Sequence, residues 1–139
     1  MMLPVSVWVV GAEEDFSVAS RLLRARKDPA YASVRFHSQQ CAEKYLKAVL
    51  QDRNVRFPRT HDLVELAISV PGEQNPFLLL TPELEVLTKA AVEVRYSDQR
   101  STREESRRDL KIAMKVREFA RIALKLPSAV PGKKRKRRR

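Results

Sequence analysis

The chain has 139 residues, with 28 Lys and Arg against 17 Asp and Glu, a net charge of +11, three Gly and one Cys. That length suits one domain able to bury a core without disulfides or metal. So few glycines exclude a glycine-rich phosphate loop and argue against a β-sandwich or barrel, and the lone Cys41 excludes an internal disulfide and a thiolate zinc cluster.

Met1 to Val10 is apolar but short, has no basic leader, and is followed by Glu13, Glu14 and Asp15, so it does not read as a secretory signal. No run is long and apolar enough to span a membrane. The expectation is a soluble protein of a reducing compartment, the cytoplasm.

In chain order, Trp8, Ala12, Phe16, Ala19 and Leu23 recur at helical spacing and predict a first helix over about Val7 to Lys27, ended by Asp28-Pro29. A second helix is expected from about Ala32 to Arg53, stopped by Asn54 and Pro58. Thr60 is a candidate cap for a short third helix, His61 to Val70, closed by Pro71-Gly72. Glu73 to Leu80 reads as a loop with an apolar patch. Thr81-Pro82-Glu83 starts a fourth helix, with Thr81 as its cap and Pro82 in its first turn, that runs to Arg95 or Tyr96. Thr102 and Glu105 form a capping box for a fifth, which runs to about Leu126 and buries Leu110, Ala113, Met114, Val116, Phe119, Ala120, Ala123 and Leu124. The expected fold is all-α: an up-and-down antiparallel bundle of about five helices over residues 5–126. Residues 127–139 follow as a disordered tail of Pro, Lys and Arg.

The second helix carries the most chemistry. With His37 at zero on a helical wheel, Lys44, Gln40 and Lys47 fall at about −20°, −60° and −80°, while Cys41, Tyr45 and Leu46 fall at about 40°, 80° and 180°. One edge is thus apolar and another presents imidazole, amide and ammonium groups. A solvated face explains such an edge; so does a groove for an anionic ligand. His37 and Cys41 share a face, but no further ligand accompanies them, so no metal is expected. Nor does any residue pattern call for a cofactor.

Phe36-His37-Ser38-Gln39-Gln40-Cys41-Ala42-Glu43-Lys44-Tyr45-Leu46-Lys47-Ala48 resembles the signature helix of HEPN domains (higher eukaryotes and prokaryotes nucleotide-binding). Trp8-x3-Ala12-x2-Asp15, Thr60-His61-Asp62-Leu63 and Arg95-Tyr96-Ser97-Asp98 resemble three further blocks of that family in the same order. The resemblance implies a helical bundle that dimerises. It also implies a partner, commonly a minimal nucleotidyltransferase, in two-gene modules that act as toxin and antitoxin. Some members are metal-independent RNases with an Arg followed four to six residues later by a His, late in the chain. Here no His follows His61, and only Arg56-x4-His61 meets the spacing, across a Pro-containing loop. An arginine-rich chain yields such spacings readily by chance.

The leading expectation is a nucleotide- or RNA-phosphate-binding subunit. His37, Gln40, Lys44 and Lys47 would supply the groove, and Arg95 and Tyr96 would complete it. Two alternatives remain: an endoribonuclease using Arg56 and His61, and a non-catalytic dimerisation module. The tail, Lys133, Lys134, Arg135, Lys136, Arg137, Arg138 and Arg139, is expected to bind nucleic-acid phosphate without regard to sequence.

Overall fold

The structure is a computed structural model that describes residues 3–96 and 100–128. It contains α1 (Val5–Arg24), α2 (Tyr31–Asp52), α3 (Leu63–Ile68), a 3-10 helix (Pro76–Leu80), α4 (Thr81–Tyr96) and α5 (Arg103–Ala123), with no strand among the described residues. No described helix is long and apolar enough to cross a membrane. The basic run at 133–139 lies outside the described residues.

The helix ends follow local chemistry. Beyond α1, Asp28 takes a left-handed φ of 48° before Pro29. Asn54, at φ 58°, closes α2 in a Schellman turn, with Val55 N donating to Leu50 O at 2.9 Å and Asn54 N to Gln51 O at 3.1 Å. Lys125, at φ 59°, closes α5 in the same way, with Leu126 N donating to Arg121 O. Both halves of the capping box at Thr102 and Glu105 are formed.

Five local expectations need correction. Thr81 does not cap α4: the 3-10 helix runs straight into it, Thr81 is itself helical at φ −50° and ψ −49°, and its hydroxyl donates back to Leu78 O at 2.7 Å. The cap of α3 is Asp62, whose Oδ1 accepts from Val64 N and Glu65 N; Thr60 instead accepts from Asp62 N, and the helix starts at Leu63. A carboxylate is the stronger acceptor for those two amides, and it lies nearer to them. Pro76–Leu80 coils into a 3-10 helix because the Asn75 side chain accepts from Phe77 N and Pro76 occupies the first turn, which drives Phe77 and Leu80 into the core. Met114 is 46% exposed, lying about 100° from Ala113 and away from the buried line of Ala113, Val116 and Ala120. Finally, α1 and α5 stop a turn or less before their expected ends.

α2 is the hub: it packs against α1, α5, α4 and α3. Its apolar side behaves as the wheel indicates, with Cys41, Ala42, Tyr45, Leu46 and Val49 all fully buried. α1 approaches closely because Ala12 and Ala19 are small, and because Gly11 leaves room for Lys44, whose Cδ would sit 3.2 Å from a Cβ there.

Polar side chains also enter the interior. Arg35, 3% exposed, holds Asp109 through Nε at 2.8 Å, Glu93 through Nη2 at 2.7 Å and the Ser101 hydroxyl at 3.0 Å, and so ties α2 to the facing parts of α4 and α5. Glu13 of α1 is gripped by Arg117 of α5 through two bonds of 2.8 and 2.9 Å, and it also accepts from Tyr45. Arg117 additionally stacks over Phe16 at 4.0 Å. Such charge-assisted bonds contribute about 1.5–3 kcal/mol each where buried, and they fix the helix order as well as adding stability.

Candidate functional site

The polar edge of α2 faces α1 and the loop between α2 and α3. From the N-terminal end, His37 Nδ1 meets Asp15 Oδ1 at 2.7 Å, and Lys44 Nζ meets Asp15 Oδ2 at 2.7 Å. Asp15, 7% exposed, projects from α1 and joins the two. One turn on, Lys47 Nζ donates to Glu43 Oε2 at 2.8 Å, while both Glu43 oxygens lie 3.0 Å from His61 Nδ1. Gln39 Nε2 bonds Glu43 Oε1 at 3.1 Å and the His61 carbonyl at 3.3 Å, so the loop is pinned to the helix. Gln40 donates to Gln39 Oε1 at 2.8 Å.

The edge is therefore built from a repeated unit: a carboxylate bridging one imidazole and one ammonium group. Asp15 serves His37 and Lys44, and Glu43 serves His61 and Lys47. Burial works to raise the Glu43 carboxyl, but the bonds from Lys47 and Gln39 outweigh it and hold it below the ordinary range. Lys47 also rests near the Trp8 and Phe57 rings, 5.5 and 5.6 Å from their centroids, and those rings meet edge to face at 5.9 Å. Trp8 is thus half-buried, forming one wall beside Lys47.

His37, Gln40, Lys44 and Lys47 share this edge. Arg95 joins its upstream end, with its guanidinium 5.5 Å from the Phe36 ring, which in turn meets the His37 ring at 5.4 Å. Tyr96 is 78% exposed at the end of α4. Ser97 and Asp98 lie outside the described residues. Arg56 is exposed in the loop after α2, and makes no ion pair among the described residues. His61 is exposed at 74% of its side chain.

The carboxylates are what the sequence reasoning missed. Glu43 and Lys47 stand at i, i+4 on α2, an ordinary helical ion pair. Nothing local marks Asp15 as the partner of two residues in the next helix. Cys41 is fully buried, and burial pushes its thiol well above the usual range. Among the described residues no group of three His, Cys, Asp or Glu side chains is arranged to hold a metal ion.

A compact helical bundle with a polar, ion-paired edge on its central helix is the class of protein these features define. The HEPN domain family model matches residues 5–123, and the chain belongs to that family. The fold is similar to the crystal structure of an archaeal HEPN homologue, with 24% sequence identity, a TM-score of 0.68, and coverage of 86% of this chain and 97% of that one. No curated protein matches.

Proposed function

We propose that this HEPN protein is a nucleotide- or RNA-phosphate-binding subunit that works with a minimal nucleotidyltransferase in a two-gene, toxin-antitoxin-like module of the cytoplasm. The observation that carries this reading is the edge of α2, where His37, Lys44 and His61 remain 29%, 32% and 74% exposed at the side chain while their orientation is fixed by Asp15 and Glu43. An ammonium group has three N–H donors, and one carboxylate contact leaves donors for a phosphate oxygen. Because Lys44 and Lys47 are balanced by Asp15 and Glu43, the edge would recognise phosphate through placed donors rather than through surplus charge. Gln40 adds an amide, and Arg95 with Tyr96 would close the upstream end. The exposed apolar side chains Val92 and Tyr96 on α4 suit a homodimer contact.

Titration with mononucleotides and short RNA tests the reading. The Lys44→Ala/Lys47→Ala variant, checked for an unchanged helical signal, is expected to bind at least about tenfold more weakly, since two charge-assisted contacts are lost. Equal affinity of variant and wild type for every ligand would remove the edge as the site.

One observation favours a second reading, a metal-independent endoribonuclease. His61 turns Nδ1 to Glu43 and leaves the rest of its exposed ring, with Nε2, for proton transfer, and Arg56 on the same loop would steady phosphate charge. RNA cleavage in EDTA that disappears in His61→Ala would support it. Cleavage that persists in that variant rejects the assignment.

A further inference from the structure

A second recognition feature lies on the opposite side of α5 from the Arg117–Glu13 clamp. Between α4 and α5 lies a cleft of about 420 Å³, whose apolar lining is Pro82, Val86 and Ile112. Arg107, Arg108 and Lys111 stand along its α5 wall. Arg107 and Lys111 are exposed, one helical turn apart, and neither makes an ion pair among the described residues. The carboxylate lining the cleft, Glu83, is already taken by Lys115, whose Nζ lies 3.2 Å from Glu83 Oε2. Arg108 bonds Asp109 Oδ1 through Nε at 3.0 Å, which leaves its Nη groups for a ligand. This differs in kind from the edge of α2, where every ammonium group has a carboxylate beside it.

We propose that this α4–α5 cleft is a binding site for a phosphate monoester. Arg107 and Lys111, which have no carboxylate partner among the described residues, together with the Nη groups of Arg108, whose Nε stays paired to Asp109, match a group that carries close to two negative charges at neutral pH better than they match a single carboxylate. Guanidinium forks offer paired donors to phosphate oxygens, and Lys111 supplies a point charge beside them. The apolar lining is aliphatic, with no aromatic face on which a base could stack, so the non-phosphate portion is recognised by contact area alone. A sugar phosphate or a mononucleotide fits the volume, which lies toward the lower end for small-molecule sites. This site is independent of the α2 edge.

The test uses the full chain at 150 mM salt, where weak, non-specific charge contacts are screened. Binding of inorganic phosphate, ribose 5-phosphate and adenosine 5′-monophosphate is measured by calorimetry. The two monoesters are expected to bind more tightly than inorganic phosphate. Arg107→Gln/Lys111→Gln, on an exposed helix face, is expected to weaken all three about tenfold or more. Val86→Phe, which fills the cleft without changing charge, is expected to weaken the monoesters severalfold while sparing inorganic phosphate. Made in the Lys44→Ala/Lys47→Ala background, Arg107→Gln/Lys111→Gln is expected to cause the same further loss, which separates this site from the α2 edge. Absence of saturable binding by all three ligands would overturn the proposal, as would undiminished affinity in Arg107→Gln/Lys111→Gln. A short RNA without a terminal phosphate that binds at this cleft while both monoesters fail would also overturn it.

Discussion

Replacing Arg35 by Met removes the guanidinium from the interior but keeps most of its stem. Arg35 is 3% exposed, and its Nε partner Asp109 is fully buried. Removing one member of a buried ion pair costs about 3–5 kcal/mol, because the other charge is left without compensation. Asp109 keeps Arg108 at 3.0 Å, so the lower end, about 3 kcal/mol, is expected at pH 7. For a chain of this size that is a melting temperature about 10 °C lower. Burial already pushes the Asp109 carboxyl above its ordinary value, while the bonds from Arg35 and Arg108 pull it back. Without Arg35 it rises further. The penalty belongs to the ionised form, so it is present above the raised folded value and fades as pH falls through that value, while the unfolded group is still largely ionised. Urea titrations at pH 7 and pH 5 should therefore show the variant's deficit shrinking in acid. A second substitution, Asp109→Leu, should recover most of the loss, since an apolar pair can replace a buried ionic one. A deficit below about 1 kcal/mol at pH 7, or one equal at both pH values, would refute the reasoning.

Three other outcomes follow from the same contacts. Glu43 sits below the ordinary carboxyl range, so its stabilisation is present above the unfolded value and is lost as pH falls through the folded one; Glu43→Gln should lose about 1–2 kcal/mol at pH 7 and show a flatter decline in urea midpoint between pH 5 and pH 3. Cys41, fully buried and with its thiol pushed up by burial, should resist a thiol reagent in native buffer and react only as the chain unfolds, and rapid native labelling would contradict the packing. Thr102→Ala removes the hydroxyl half of the capping box, the acceptor for Glu105 N, while the backbone N–H of residue 102 can still donate to Glu105, and it should cost about 1 kcal/mol in thermal unfolding.

Much of the fold was readable before any coordinates. The capping box at Thr102 and Glu105, the Thr81-Pro82 start of α4 and the Asn54 stop of α2 are local signals whose donors and acceptors lie within a few residues. The cap of α3 was misplaced by two residues because Thr60 and Asp62 both bear acceptor oxygens, and sequence order does not say which faces the free amides. The Asn75-Pro76 start of the 3-10 helix was the same kind of signal, overlooked because five residues give too short a period to recognise. For the site, the wheel correctly put His37, Gln40, Lys44 and Lys47 on one edge of α2. It could not show that Asp15 on α1 bridges two of them, or that His61 folds back onto Glu43. Those pairings depend on how α1 and the α2–α3 loop are laid against α2, which no single-helix projection contains. Arg35 and Gln39 were invisible for the same reason: a buried polar side chain is intelligible only with its partners in place.

α2 meets a neighbour on nearly every side, so few of its positions can change without another element registering the change. The outward row on α5, with Arg103, Arg107 and Lys111, carries no such obligations. In a saturation scan for retained folding, permissive positions should therefore crowd onto that row and thin out between Phe36 and Ala48. An axle engaged by all its spokes leaves evolution little slack, and its wording is the part of the text that distant copies would still share.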